Sequence, residues 1–254
     1  YFTSQAEAER QIRNYLKQRT AAITVYVKGP LNTTTKQTAH DMMNNAMAHT
    51  GKPKEGDYLL WHYSSWKAKI TTVGSDYIYE YTVEYNNTAQ QEQQVNNAVQ
   101  SLIWQLGVSY KSDYEKVKAI FYWIRHNTTY VNMTNTKDWM QVGYQMLTRR
   151  RGDCYSFFAL NKLMLERMGI PNIDVAKVKR HQWDGGHYWS LVSVDGGQTY
   201  YHVDITPRQD DTIFLMVTDG YLADYAKKEL ERKLFTFTTE DAIDKRISTE
   251  ECLV

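Results

Sequence analysis

The sequence predicts an α+β protein made of a small N-terminal α+β unit and a second part that combines a cysteine-bearing helix with an antiparallel hairpin. Three observations support this class. The N-terminal part has segments in the order helix–strand–helix–strand–strand–helix, which is typical of helices layered on an antiparallel sheet. Further along, an apolar helix begins at Cys154, and a hairpin pattern follows it. The hydrophobic fraction of 42% is sufficient for a packed core, which excludes the disordered class.

Residues 1–108 are predicted to form the N-terminal α+β unit. Its first helix begins at a capping box formed by Ser4 and Glu7 and runs to about residue 19. The strand predicted at 77–85 has tyrosine or valine at every second position, which is the period of a strand with one buried face. The other elements are a strand at 22–27, a helix at 35–50, a strand at 58–71 and a helix at 89–106.

The second domain is predicted at 109–254, after a linker near residues 107–111. A second capping box, formed by Ser112 and Glu115, starts its first helix. An apolar stripe on this helix is assigned to the core and consists of Val117, Ile120, Phe121 and Ile124. Two C-terminal elements carry no recognisable chemistry, namely a helix at 219–232 and a short strand at 235–238.

Cys154 is the residue on which a chemistry can be argued. Asp153 is the predicted N-cap of a helix that stops before Gly169 and Pro171, so Cys154 lies in the first turn. There, the backbone N–H groups and the positive end of the helix dipole favour a thiolate, and the same amides could hold an oxyanion. A lone cysteine is also often a small buried hydrophobe. Its surroundings must therefore decide its role.

The segment 185–206 is predicted to be a β-hairpin, because aromatic and β-branched residues flank a Gly-Gly turn. If Gly196 and Gly197 are the two turn residues, the register makes His187 and Asp204 diagonal neighbours on one face. A slip of one residue would place them on opposite faces. The predicted register therefore brings an imidazole and a carboxylate within reach of each other.

His187, Asp204 and Cys154 together suggest a nucleophile with its activating base. Asp204 would fix the tautomer of His187 and stabilise the imidazolium, and His187 would in turn activate Cys154. Taken singly, a histidine at a strand start is often a rim residue, and an aspartate there often anchors a turn. The combination with matching face parity favours a Cys–His–Asp arrangement, which we call the candidate triad.

Five motifs follow one another between Asp113 and Asp210. In chain order they are the helix Lys116–Ile124 with Asn127–Tyr130 after it, Gly152-Asp153-Cys154, Met168–Pro171, His187-Tyr188-Trp189 and His202-Val203-Asp204. In this order they resemble the bacterial transglutaminase-like domain, whose papain-like superfamily also includes arylamine acetyltransferases and peptide N-glycanases. The resemblance implies a papain-like core in which the cysteine-bearing helix packs on an antiparallel sheet. It also implies that Cys154 is the nucleophile, His187 the general base and acid, and Asp204 the residue that orients His187.

The chain departs from the family pattern at two places. Ser190 stands where the family commonly has asparagine after His-x-Trp, and Ile205-Thr206-Pro207 replaces a frequent Pro-Thr. Neither change removes a catalytic atom, but both alter the shape of the pocket. The side chain that would assist the backbone amides at the oxyanion cannot be identified from the sequence.

Two other signals near the candidate triad have competing interpretations. Arg149–Arg151 could bind an acidic substrate group or lower the pKa of the following thiol, or could be a solvated basic turn. His181, His187 and His202 together with Cys154 could suggest zinc, but no ligand spacing typical of zinc sites is present. We therefore expect neither a metal nor a cofactor.

Charge and hydropathy limit the classes of partner. A net charge of +1 gives no electrostatic support for nucleic-acid binding, and no apolar run approaches the length of a membrane span. The first residues carry no signal peptide, as expected of a mature or trimmed chain. The composition, rich in Tyr, Asn and Thr and poor in Cys, resembles that of bacterial surface proteins. We therefore expect a secreted or cell-surface location. A disulfide between Cys154 and Cys252 would abolish the nucleophile.

The sequence favours a thiol enzyme that attacks a protein or peptide amide and forms a thioester intermediate. If water resolves the thioester the enzyme is a protease or amidase, and if lysine does it is a transglutaminase; the sequence does not decide between them. The alternative is a catalytically idle module that binds cell-wall or surface proteins through the N-terminal unit and its aromatic surface. An acetyltransferase would need a coenzyme A site, for which no sequence feature is evident.

Overall fold

The computed structural model of the protein describes residues 1–132, 138–177, 186–228 and 237–238. The chain divides into two compact units, of which unit 1 is Tyr1–Thr50 with Lys54–Gln91 and unit 2 is Gly51–Pro53 with Glu92–Val254. Both units combine helices with antiparallel sheet, which confirms the predicted α+β class. The predicted domain boundary at residue 108 stays a prediction.

Unit 1 contains a three-stranded antiparallel sheet in the order β1-β3-β2, with helices covering one face. Its helices are α1 (Gln5–Lys17), α2 (Thr35–Ala46) and α3 (Asp57–Leu60). Its strands are β1 (Ala22–Val27), β2 (Tyr63–Val73) and β3 (Asp76–Tyr85). Every second residue of β1 faces the core, and the register pairs Ile23 with Tyr81 and Val25 with Tyr79, all four of them buried.

The start of α1 and the bounds of β1 agree with the sequence prediction. The Ser4 hydroxyl accepts the backbone N–H of Glu7 at 3.3 Å, as expected of an N-cap. Helix α2, predicted to reach residue 50, ends at Ala46 instead. The Arg13 guanidinium donates to the carbonyl oxygens of Asn45 and Ala46 at 2.6 and 2.8 Å, and these bonds satisfy the last turn of α2 where it stops.

The strand predicted from residue 58 is wrong in its first residues. These residues form α3, and β2 begins only at Tyr63. The turn into α3 passes through Gly56 at a φ of 68°, a conformation that favours glycine. Asp57, the first residue of α3, lies 3.1 Å from His49 Nε2. These tertiary contacts override the strand propensity of the aromatic residues that follow.

Unit 2 is built around a five-stranded sheet in the order β10-β6-β7-β8-β9, in which every pairing is antiparallel. Its strands are β6 (Asn172–Lys177), β7 (Tyr188–Val192), β8 (Tyr201–Asp204), β9 (Phe214–Val217) and β10 (Phe237–Thr238). Its helices are α4 (Ala89–Leu106), most of which falls in this unit, α5 (Asp113–Asn127), α6 (Trp139–Arg149), α7 (Cys154–Arg167) and α8 (Asp219–Lys228). A short parallel pair joins β4 (Thr129–Tyr130) to β5 (Arg151–Gly152).

Helix α7 is buried along most of its length, since every residue from Tyr155 to Glu166 is classed as buried. A helix that is covered on all sides lies within the core rather than on the surface. It packs against α6, where a Cβ on Gly143 would overlap the Leu163 side chain and the Ala159 backbone. The position of Cys154 is therefore fixed by the body of unit 2.

The sequence prediction for unit 2 is confirmed in some elements and incomplete in others. The Ser112–Glu115 capping box is present, and the helix at 89–106 has the predicted bounds. Helix α6 and strands β6 and β9 were not predicted. Of the predicted strand at 235–238, the described part is β10, and the predicted helix from residue 219 is described to Lys228. Among the described residues, no helix is both long and apolar enough to cross a membrane.

Candidate active site

Cys154 is the first residue of α7, as predicted. Asp153 is the N-cap, and its carboxylate accepts both the backbone N–H and the hydroxyl of Ser156 at 3.0 Å. The Cys154 side chain is partly exposed, and its Sγ lies 3.7 Å from the carbonyl oxygen of Gly186. The thiol therefore lies at the start of a buried helix, beside the backbone that leads into β7.

Gly152 explains why a glycine stands two residues before the cysteine. It lies in β5, where it pairs with Tyr130, and the N–H of Val131 donates to its carbonyl oxygen at 2.9 Å. A Cβ at this position would overlap the Cβ of Ser156 and crowd the sulfur of Met146. Only glycine allows this close approach of β5 to the first turn of α7.

Gly152→Ala is expected to lower the free energy of unfolding by about 1–3 kcal/mol, because the Ser156 Cβ is fixed to the helix backbone and cannot rotate away. Urea denaturation would measure the change. Gly220→Ala in α8 is the matched control, since the nearest atom to its Cβ lies 4.0 Å away. Equal stability of the two variants would show that β5 can shift without cost.

The strands β7 and β8 have the register that the sequence predicts. Ser190 pairs with Val203 and Leu191 with His202. The predicted two-residue turn is nevertheless wrong, because β7 ends at residue 192 and β8 starts at residue 201. The Asp195 carboxylate accepts the N–H groups of residues 198 and 199 at 3.0 and 2.9 Å, which organises a longer loop with the same strand register.

His187 and Asp204 form the predicted contact. Nε2 of His187 lies 2.7 Å from Oδ2 of Asp204, and both side chains are largely buried. The other carboxylate oxygen of Asp204 accepts the backbone N–H of Thr206 at 3.0 Å. Since Nε2 of His187 is engaged by the carboxylate, Nδ1 is the ring nitrogen that remains for the Cys154 side chain, which contributes to the raised pKa of His187.

Arg208 is a site residue that the sequence analysis missed. Its Nη2 donates to Oδ2 of Asp204 at 2.7 Å, so the carboxylate oxygen that faces His187 also accepts from a guanidinium. The guanidinium lies over the ring of Phe214, with 4.5 Å between its carbon and the ring centroid, and over Tyr225 at 5.5 Å. A lone arginine in a turn after β8 gives no sequence signal for this role.

His187 and Asp204 each shift the pKa of the other so that the charged form of both side chains is favoured. Burial lowers the pKa of His187, but the charge and the hydrogen bond of Asp204, with a smaller contribution from Cys154, raise it to about 9. Burial raises the pKa of Asp204, but His187, Arg208 and the N–H of Thr206 lower it to about 2. His187 is therefore an imidazolium, and Asp204 a carboxylate, at neutral pH.

This ion pair is expected to stabilise the protein within a defined pH window. The stability that comes from the raised pKa of His187 is fully present below about pH 6.5, and it is lost as the pH rises through about 9. The stability that comes from the lowered pKa of Asp204 is present above the unfolded value of about 3.8, and it is lost as the pH falls towards about 2. The difference in unfolding free energy between wild type and His187→Ala should therefore be largest between about pH 4 and 6.5. A difference that stays constant from pH 5 to beyond 9 would contradict the pair.

Trp189 and His202 form a contact network beside His187. The Trp189 ring lies 5.6 Å from the His187 ring, and its indole N–H donates to Nδ1 of His202 at 2.9 Å. Because an indole can only donate, Nδ1 of His202 carries no proton, and its Nε2–H donates to Asp219 at 3.0 Å. His202, which is buried, is therefore part of the wall of the site and does not reach the thiol.

Tyr130 is a second residue near the thiol whose role the sequence left open. Tyr130 pairs with Gly152 in the parallel pair of β4 and β5, two residues before Cys154. Burial raises its pKa, and charges on Cys154 and Asp153 add to this rise. The Tyr130 ring stacks on Phe157 of α7 with 6.3 Å between centroids. Its hydroxyl therefore remains protonated at neutral pH and can donate a hydrogen bond beside Cys154.

The basic triplet and the histidines near the site can also be compared with the sequence predictions. The Arg150 guanidinium lies 4.2 Å from the centroid of the Trp123 ring, so this residue of the basic triplet is packed on an aromatic side chain. His181 and Cys252 lie outside the described residues. Within the described ranges, no group of three or more His, Cys, Asp and Glu side chains is arranged to hold a metal ion.

A comparison with protein-family models found one match relevant to this site. Residues 100–205 match the model described as the transglutaminase-like superfamily. This range includes the candidate triad and the helix and strands that carry it. A comparison with curated proteins found no match.

Several solved structures resemble part of the chain. A protein from Cytophaga hutchinsonii, provisionally named a cysteine protease, shares 13% identity over 61% of this chain and 70% of its own, with a TM-score of 0.36. A structure named a TGase shares 13% identity over 75% of this chain and 53% of its own, with a TM-score of 0.39. A protein from Parabacteroides distasonis ATCC 8503, provisionally named a protease, shares 16% identity over 54% of this chain and 35% of its own, with a TM-score of 0.32.

Proposed function

Because residues 100–205 form a transglutaminase-like domain, we propose that the protein is a thiol enzyme that acts on protein or peptide amides through a thioester intermediate. The observation that carries the proposal is the 2.7 Å contact between Asp204 and His187, together with a thiol at a helix start that lies near enough to His187 to raise its pKa. A nucleophile, a base within reach of it and a carboxylate that orients the base are the parts that acyl transfer requires.

The first half of the reaction forms the thioester. The Cys154 sulfur attacks the amide carbonyl carbon, and the carbonyl π electrons move onto the oxygen. Backbone N–H groups in the first turn of α7 stabilise that oxyanion, since the first N–H groups of a helix lack intrahelical acceptors. The imidazolium of His187 then gives its Nδ1 proton to the leaving amine as the carbon–nitrogen bond breaks.

The second half releases the acyl group. His187, now neutral, takes a proton from water or from a primary amine, which attacks the thioester carbon and expels the Cys154 thiolate. Asp204 holds the imidazole of His187 in one tautomer throughout, because its Oδ2 accepts from Nε2 of His187. The same oxygen accepts from Arg208, which keeps the carboxylate in place. Water gives hydrolysis of the amide, whereas a lysine amine gives a cross-link.

Amine trapping tests the proposal and separates its two outcomes. Casein as acyl donor would be incubated with the protein and dansylcadaverine, and both amine incorporation and peptide cleavage would be followed, with Cys154→Ala as the control. Incorporation that depends on Cys154 would indicate transamidation, and cleavage that depends on Cys154 would indicate a protease. Absence of both, together with no acyl-enzyme by mass spectrometry across varied peptide substrates, would contradict an enzyme and favour an idle binding module.

We also infer that the Tyr130 hydroxyl donates to the oxyanion. Tyr130→Phe should lower the rate of acyl-enzyme formation about tenfold or more, because one donor to the developing charge is lost. The rate at which iodoacetamide alkylates Cys154 should be unchanged, since alkylation forms no oxyanion. Equal acylation rates for wild type and Tyr130→Phe would contradict this role.

A further inference from the structure

Unit 1 contains an open groove between α2 and β2 that is unrelated to the candidate triad, and we call it the β2 groove. Its volume is about 620 Å³. The side chains that matter for its chemistry are Lys36, Ala39 and His40 from α2 with Trp66, Lys67 and Ile70 from β2. A groove between a helix and a strand at the edge of a sheet has the shape that receives an extended peptide.

Within unit 1, the outer edge of β2 has no strand partner. Among residues 1–91, all of which the structure describes, β2 pairs with β3 alone. The opposite edge of the sheet is partly covered, because Thr3 accepts from the N–H of Lys28 at 2.9 Å and donates to the carbonyl of Tyr26 at 2.8 Å. An open edge presents a row of backbone donors and acceptors to a further strand, and β2 provides that row here.

The side chains of β2 that face the helical layer form an incomplete apolar surface. Trp66, Ala68 and Ile70 lie at alternate positions, and each packs at the margin of the unit 1 core while staying only half-buried. The Trp66 ring contacts His40 of α2, with 4.9 Å between centroids. A strand added beside β2 would place every second side chain against this surface and would complete its burial.

The charge of the β2 groove is positive. Lys36, Lys67 and His40 line it, and no aspartate or glutamate does. Within the described part of the chain, neither Lys36 nor Lys67 takes part in an ion pair, whereas the next lysine on β2, Lys69, lies 3.0 Å from Glu80. A second copy of β2 would bring lysines against lysines, so the charge favours an acidic partner over self-association.

We propose that the β2 groove binds an extended peptide in which acidic and apolar side chains alternate, by addition of the peptide as a strand to the free edge of β2. The apolar side chains cover Trp66, Ala68 and Ile70, and the acidic ones project to the opposite face of the added strand, where Lys67 lies. Lys36 of α2 adds to the positive potential of the groove. This site lies outside the candidate triad, so the proposal extends beyond the proposed function and does not require it.

The test uses the full chain with Cys154→Ala, which removes turnover of the probe. The probe is a fluorescein-labelled synthetic peptide of about ten residues in which valine and glutamate alternate, so that it can span most of the 11 residues of β2. Fluorescence anisotropy measures its binding. The double variant Lys36→Glu/Lys67→Glu should weaken binding about tenfold or more, because the positive charge beside the acidic peptide becomes negative. Lys28→Glu, an exposed lysine next to β1, is the control and should leave binding unchanged.

Two further measurements separate strand addition from attraction by charge alone. A peptide of the same sequence with its backbone amides N-methylated should lose most of its affinity, since it cannot donate to β2. Hydrogen exchange of the wild-type chain should slow at the amides of β2 when the unmodified peptide is added. Absence of binding, equal binding by the Lys36→Glu/Lys67→Glu variant, or equal binding of the N-methylated peptide would overturn the proposal. Slower hydrogen exchange at the β2 amides in the absence of peptide, when it accompanies dimer formation, would also overturn the proposal.

Discussion

His187→Ala should slow acylation of Cys154 about a thousandfold or more, the largest effect expected of any single change that leaves the nucleophile in place. The variant loses the group that protonates the leaving amine and the imidazolium that pairs with the thiolate. The contact of 2.7 Å to Asp204 and the raised pKa of His187 both indicate that this imidazole is held for proton transfer. Single-turnover acylation, followed by mass spectrometry of the acyl-enzyme, would measure the loss.

His126→Ala is the matched control for this variant. His126 is an exposed histidine on α5 whose ring stacks on Tyr122 of the same helix, with 5.8 Å between centroids. Its replacement should leave acylation at the wild-type rate. If His187→Ala retained more than about a tenth of the wild-type acylation rate, His187 would not be the base of this site. Removal of a base that acts together with the nucleophile lowers the rate by far more than tenfold.

Lys162→Met should lower the free energy of unfolding by about 3–5 kcal/mol, which is the largest stability effect that the structure predicts. Lys162 lies within α7, only 1% exposed, and its Nζ is 2.8 Å from Asp174 and 3.0 Å from Glu166. The ammonium also lies 5.4 Å from the centroid of the Trp139 ring. Methionine would fill similar space but would leave two carboxylates in the interior without their cation, which is costly.

Lys118→Met, an exposed change on α5, is the control and should alter stability by less than about 0.5 kcal/mol. Both variants would be measured by urea denaturation at pH 7. A similar small effect for Lys162→Met would mean that the two carboxylates find other partners or take up protons. In that case the ion pairs of Lys162 would not be what stabilises the packing of α7 against β6.

The parts of the fold that the sequence predicted are those set by local patterns. The Ser112–Glu115 capping box and the alternation along β3 are decided by residues a few positions apart, and both are confirmed. The register of β7 with β8 was also predictable, because one face of each strand must be buried and a slip would expose it. This register is what brings His187 and Asp204 together.

The parts that could not be predicted depend on contacts between residues far apart in the chain. Lys162 reads as a surface lysine in a helix, and only its contact with Asp174 on β6 shows that it is buried. Arg208 follows β8 in a turn with no motif, yet it binds the carboxylate that orients His187. The longer loop after β7 was missed because Asp195 organises it through side-chain hydrogen bonds to the backbone, which a Gly-Gly pattern does not reveal.

The candidate triad could be assembled from the sequence, whereas the surroundings that tune it could not. The resemblance to a family gave the order of Cys154, His187 and Asp204, and the strand register gave the contact between the last two. Tyr130 comes near the thiol only through the parallel pairing of β4 with β5, which joins segments about twenty residues apart. Short parallel pairs of this kind have no recognisable sequence pattern.

The rate at which iodoacetamide alkylates Cys154, measured against pH in a Cys252→Ser background with and without His187→Ala, tests the central claim most directly. The proposed thiolate–imidazolium pair predicts a reaction that is already fast near pH 6 and slows when His187 is replaced. In the His187→Ala variant the rate should then rise only near the free-thiol pKa of about 8.5. A wild-type rate that rises only there, and that does not respond to His187→Ala, would contradict an active thiol and leave a protein that works by binding.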